Sequence, residues 1–292
     1  SPKQAAAWAR LKEVREATAA ALEGATGVSI PGLRSLEKKG WITLGKGVIR
    51  RDPHARMAVL PTVAPVLMDE QTAALAAVRE EMAAAKPGVV LLHGVTGSGK
   101  TEVYLAAIQS ALEAGQGAIA LVPEISLTPQ AMERFRGRFG ETVAVLHSHL
   151  SDGERHDEWK RIAEGRARVV VGARSALFAP VRPLGLVVVD EEHEPAYKQD
   201  ESPRYNARDV AVMRGRLEGC AVVLGSATPS LESYHNVRLG KYRLVRMLDR
   251  VDRRLMPAVR VVDMRVETEK AGVPHLLSQD LIEAIRLRLD RA

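Results

Sequence analysis

The chain has 292 residues, 46% of them hydrophobic and 27% charged, with a formal net charge of +6. A single cysteine excludes an internal disulfide framework. With no secretory signal and no apolar run of 18 residues, the expectation is a soluble cytoplasmic protein without membrane contact. The positive excess is local: residues 1–60 hold 11 Lys/Arg against 5 Asp/Glu, and the remainder holds 31 of each.

Along the chain, Ala5 to Leu22 reads as an Ala-rich helical stretch and Gly24 to Gly27 as a break. Ser29 then caps a second helix, Ile30 to Lys39, which ends at Gly40. Trp41 to Leu44 and Val48 to Arg50 read as two short strands about the turn Gly45-Lys46-Gly47. Helices followed by a hairpin suggest a winged helix over residues 1–58. In that fold Arg34 and Lys38, four apart on one helical face, would face DNA phosphates. A winged helix that serves only as a protein contact would read the same way. Pro53, Pro61 and Pro65 punctuate a linker, and residues 66–86 supply a helix.

A larger α/β region, 59–275, follows. Leu91 to His93 form an apolar strand that runs into Gly94-Val95-Thr96-Gly97-Ser98-Gly99-Lys100-Thr101, a G-x-x-x-x-G-K-T loop opening a helix. The glycines let successive backbone N–H groups converge on phosphate oxygens, Lys100 reaches the outer phosphates and the Thr101 hydroxyl ligates magnesium. ATP and magnesium are therefore the expected cofactors. Short β-branched runs at 118–124, 169–172 and 186–189 read as buried parallel strands. The last ends in Asp190-Glu191-Glu192-His193, where Asp190 can hold magnesium and Glu191 can activate water. His193 has no second His or Cys at ligand spacing, so it is not expected to bind zinc. Val222 to Leu224 form another strand, preceded by Cys220, a small core residue, and followed by Ser226-Ala227-Thr228. In this order the three motifs have the layout of superfamily 2 helicase motors, with a RecA-like lobe.

The strings at 94–105, 121–130, 146–155, 170–180, 190–199 and 225–233 closely resemble the PriA family of bacterial replication-restart helicases. That resemblance implies a 3′-to-5′ DNA helicase which recognises abandoned forks, with primosome proteins and single-stranded DNA-binding protein as partners. It implies an adenine contact for Gln71, which could otherwise be a helix-capping residue. It also implies that His193 links the acid box to the loop at Ser226 to Thr228, and that Arg174, Tyr197, Lys198, Arg204, Tyr205 and Arg208 meet DNA. Two departures weaken those DNA contacts. Ala173 stands where the family has Thr, and Pro203 stands where a bulky aromatic is common. A non-enzymatic fork-binding scaffold is the alternative they leave open. Residues 276–292 read as the opening helix of a second lobe, the region where the family carries zinc; no zinc ligand set is expected in this chain.

Overall fold

The computed structural model describes residues 1–45, 61–148, 150–252, 259–271 and 276–290. It divides into two compact units, 1–251 and 252–292.

Three helices open the first unit: α1 (Pro2–Val14), α2 (Ala19–Thr26) and α3 (Ile30–Lys38). Ala7, Leu22, Val28, Leu33 and Leu36 form their small core. The single helix expected over Ala5 to Leu22 is broken, because Thr18 accepts a hydrogen bond from Ala21 N and starts a new helix. Gly24 consequently lies inside α2, and the break falls at Gly27, whose φ of 68° is left-handed. Trp41 to Leu44 form no strand. Trp41 N donates to Leu36 O and Leu44 N to the Glu37 carboxylate, so the segment folds back onto α3. The second run of the expected hairpin, Val48 to Arg50, lies outside the described residues.

The larger part of this unit alternates strands and helices: α4 (Asp69–Ala83), β1 (Val89–Gly94), α5 (Lys100–Glu113), β2 (Gly117–Leu121), α6 (Pro129–Phe139), β3 (Val143–Leu146), α7 (Asp152–Ala163), β4 (Val169–Gly172) and β5 (Leu184–Val189). A two-strand ribbon follows, β6 (Lys198–Gln199) with β7 (Tyr205–Asn206), then α8 (Ala207–Glu218), β8 (Ala221–Ser226), α9 (Leu231–Arg238) and β9 (Tyr242–Met247). Seven strands pair in parallel in the order β3-β4-β2-β5-β8-β1-β9. Burial on both faces explains the uninterrupted runs of β2, β4, β5 and β8. Val90, Leu92, Ala118, Val188 and Val223 pack on one face against α4, α5 and α6. Leu91, Ile119, Val187, Val189 and Leu224 pack on the other with residues of α7 and α8.

Sequence patterning missed the two edge strands. β3 is four residues long within a charged stretch, and β9 is largely half-buried or exposed and carries Arg243 and Arg246. Among the described residues β3 has no outer neighbour, and the N–H of Val145 donates instead to the buried Glu158 carboxylate of α7, which pairs with Arg161. The central register sets the stage for the site: His93 lies beside Ser226, and Val189 lies between Leu121 and Leu224. β8 thus separates the strand feeding the glycine loop from the strand feeding the acid box, and all three end at the same edge of the sheet.

The second unit contains α10 (Met264–Ala271) and α11 (Gln279–Leu289). Gln279 N donates to the Glu267 carboxylate, and Arg260 pairs with Asp280.

Candidate nucleotide site and nucleic-acid face

The loop after β1 is shaped by what its glycines allow. Gly97 and Gly99 have φ near +80°, a region that side-chain-bearing residues rarely adopt, and a Cβ on Gly99 would run into the Gln71 amide. Lys100, 8% exposed, donates to Gly94 O at 2.9 Å and stands 3.6 Å from Glu191 Oε1. The buried Ser98 hydroxyl has no protein partner, an open polar position inside the loop.

Gln71 braces this loop from below. Its Oε1 accepts from Met68 N at the start of α4, and its Nε2 donates to Ser98 O at 3.0 Å, so both ends of the amide are engaged by protein. The turn after β9 supplies a second brace that sequence reasoning did not find: Val251 N donates to Gly97 O, Val95 N donates to Met247 O, and the Arg250 guanidinium lies against Gly97.

At the tip of β5, burial and the neighbouring charge of Glu191 push the Asp190 carboxyl up to about 6, against the opposing pull of Tyr104 and Lys100. A divalent cation would relieve both causes. Thr101 hydroxyl and Asp190 carboxylate are hard oxygen donors of the kind magnesium takes when phosphates and water complete its shell, so the residues fit that ion. Among the described residues, no three His, Cys, Asp or Glu gather into a cage that would hold a metal alone. Glu191 has φ of 45° and lies between two partners, with Oε1 near Lys100 and Oε2 3.7 Å from His193 Nδ1. Ser226 Oγ is 2.8 Å from His193 Nδ1, and Thr228 Oγ1 is 3.3 Å from its Nε2. One polar line therefore runs from the glycine loop through the acid box to the Ser-Ala-Thr turn.

Glu192, given no separate role by the sequence, is 1% exposed and accepts from Ser230 N, Ser230 Oγ, Ser233 Oγ and Arg208 Nη1. It ties the acid box to the start of α9. Its signal in the sequence is only a third carboxylate in a row, which looks like a solvated acid.

Two residues expected to meet DNA are corrected by their burial. Tyr197 is 1% exposed and donates to Asp190 O at 2.7 Å, so no ring face is available to a base. Arg208 is 8% exposed and spends its guanidinium on Glu192, Ser230 and Asp209. The other positions face outward to different degrees. Arg204 and Lys198 are exposed on the β6–β7 ribbon; Arg204 donates to Asp200 O, and Lys198 pairs with Asp200. Arg174 is half-buried and donates to Lys198 O. Tyr205 is half-buried and meets Phe178 edge-on at 5.4 Å. Phe178, 48% exposed, went unnoticed in the sequence because its ring lies 27 positions from its partner. Arg34 and Lys38 are exposed on α3, away from this site's residues in sequence, on the face opposite Leu33 and Leu36.

The DEAD/DEAH box helicase family matches residues 69–237. Proteins named Replication restart protein PriA are similar over most of the chain. That of Bacillus subtilis (strain 168) is 48% identical over 260 residues, covering 89% of this chain and 32% of that protein. That of Chlamydia pneumoniae is 44% identical over 264 residues, covering 90% and 35%. The chain thus spans about a third of the length of the curated relatives it matches. A solved structure, RecG bound to a three-way DNA junction, is 25% identical with a TM-score of 0.49, covering 72% of this chain and 28% of that one. With the family match covering more than half of the sequence and a glycine loop, acid box and Ser-Ala-Thr turn side by side on a parallel sheet, the chain belongs to the DEAD/DEAH box helicase family.

Proposed function

We propose that this chain carries the ATP-binding lobe of a cytoplasmic 3′-to-5′ DNA helicase that acts in replication restart. In this reading it engages forked DNA and works with primosome proteins and single-stranded DNA-binding protein. The observation that carries the motor assignment is the polar line Lys100–Glu191–His193–Ser226/Thr228. It gives the phosphate end of the site a physical connection to a turn at the sheet edge, which is what coupling hydrolysis to movement requires. The restart assignment leans on the named relatives and on the six shared strings.

Bound magnesium–ATP would supply the phosphoryl group and neutralise part of its charge. Lys100 would place a fixed positive charge where negative charge accumulates, Thr101 and Asp190 would hold the metal, and Glu191 would orient and deprotonate the attacking water. Gln71 keeps the loop in shape with one N–H and one lone pair of its amide, and the second of each is what an adenine contact would use. On the nucleic-acid side, Tyr205 and Phe178 offer ring surface beside Arg174, Lys198 and Arg204, while Arg34 and Lys38 meet phosphates.

The test is DNA-stimulated ATP turnover in the full-length protein. Lys100→Ala should nearly abolish turnover while leaving fork binding intact. Tyr205→Ala should lower the DNA-stimulated rate more than the basal one. Comparable turnover in parent and Lys100→Ala would overturn the role of Lys100, and negligible turnover in the parent itself would favour the scaffold reading, to which Ala173 and Pro203 lend weight.

A further inference from the structure

Asp190 is gripped twice by buried phenols. Tyr197 donates to its backbone carbonyl, and Tyr104, 2% exposed, donates to its side-chain Oδ1 at 3.0 Å. Tyr104 lies one turn along α5 from Lys100 and Thr101, so a single helix places the phosphate-facing residues and a contact to the acid box on one side of itself. Its hydroxyl ends against Gly225, where a Cβ would overlap it.

Neither feature is what packing alone would select. Phenylalanine fills the same volume without burying a hydroxyl, and burying a hydroxyl is unfavourable unless it finds a partner. Glycine inside a buried strand forfeits side-chain packing and backbone entropy, and it marks a place where another group comes close. Here a buried hydroxyl and a strand glycine, from α5 and β8, converge on one carboxylate of β5.

We propose that Tyr104 is a positioning residue for Asp190, and that Gly225 exists to admit its hydroxyl. By committing Oδ1 to a hydrogen bond, Tyr104 restricts the carboxylate to one orientation, so the metal meets a ligand already in place. The proposal rests on the reading of Asp190 as the magnesium-holding carboxylate.

The test is binding of a fluorescent ATP analogue to the 292-residue chain, first in EDTA and then across a magnesium titration, alongside melting temperatures. Tyr104→Phe should bind the analogue in EDTA as the parent does, with a melting temperature lowered by no more than the loss of one buried hydrogen bond allows. The magnesium concentration that half-maximally tightens binding should rise about tenfold, the low end of what one hydrogen bond to a charged group provides. Gly225→Ala, which displaces the hydroxyl without removing it, should shift the midpoint the same way while also lowering the melting temperature. Equal magnesium midpoints in parent and Tyr104→Phe would overturn the proposal. So would a Tyr104→Phe chain that loses affinity by one factor with and without metal, since that assigns the tyrosine to packing of α5. If binding by the parent is not tightened by magnesium, the metal reading of Asp190 falls and takes the proposal with it, an outcome visible before any variant is made.

Discussion

Glu191 combines an unfavourable backbone with a demanding electrostatic position. A left-handed conformation costs a side-chain-bearing residue about 1–2 kcal/mol, and here it turns the carboxylate into the space between Lys100 and His193. Cys220 shows the opposite economy, a residue with nothing to do but pack. Burial, reinforced by the charge of Glu218, pushes its thiol up to about 11, so at pH 8 its reactive thiolate is scarcer than in an open chain by about two orders of magnitude. Iodoacetamide should therefore leave the native protein unmodified at pH 8 and label it fully in denaturant, as read by intact mass. Native labelling at the rate of an unfolded thiol would contradict the placement of β8.

At the scale of elements, the acid box that β5 delivers is also tied to the start of α9. Four donors satisfy Glu192, three of them from Ser230 and Ser233. Glu192→Ala leaves these donors and Arg208 facing a void, and should cost roughly 3–5 kcal/mol of stability, the usual penalty for breaking a buried charged network. A denaturant titration measures it; a change below about 0.5 kcal/mol, the scale of an ordinary surface substitution, would show that the network is dispensable. The sequence disclosed such elements unevenly. β1, β2, β4, β5 and β8 were legible because strands buried on both faces must be apolar throughout, and their loops carry fixed-spacing chemistry. Glu192 and Tyr104 were not, because their partners lie 38 and 86 positions away, and no local pattern encodes a contact that only the strand order creates. Tyr197 was misjudged for the same reason. An aromatic in a polar stretch looks exposed until the chain doubles back over the tip of β5.

For the whole molecule, charge and chemistry are segregated. The nucleotide residues sit in the part of the chain where positive and negative charges balance, and the excess positive charge lies in residues 1–60, Arg34 and Lys38 among them. Duplex DNA binding by the 292-residue chain should accordingly weaken steeply as salt rises, and Arg34→Ala with Lys38→Ala should make the logarithmic salt slope shallower by roughly two. Fluorescence anisotropy at several salt concentrations measures both, and an unchanged slope would remove α3 from the DNA surface. The sheet also has to end somewhere, and at β3 it ends on Glu158, whose carboxylate takes the outward N–H of Val145. An unsatisfied row of strand amides is a template on which a second copy can add its own strand. Once α7 has docked, Glu158 occupies the Val145 N–H that a strand from another copy would need. Glu158→Ala should refold with more light scattering than the parent, increasingly so with protein concentration, and concentration-independent scattering would show that the exposed edge does not recruit other chains.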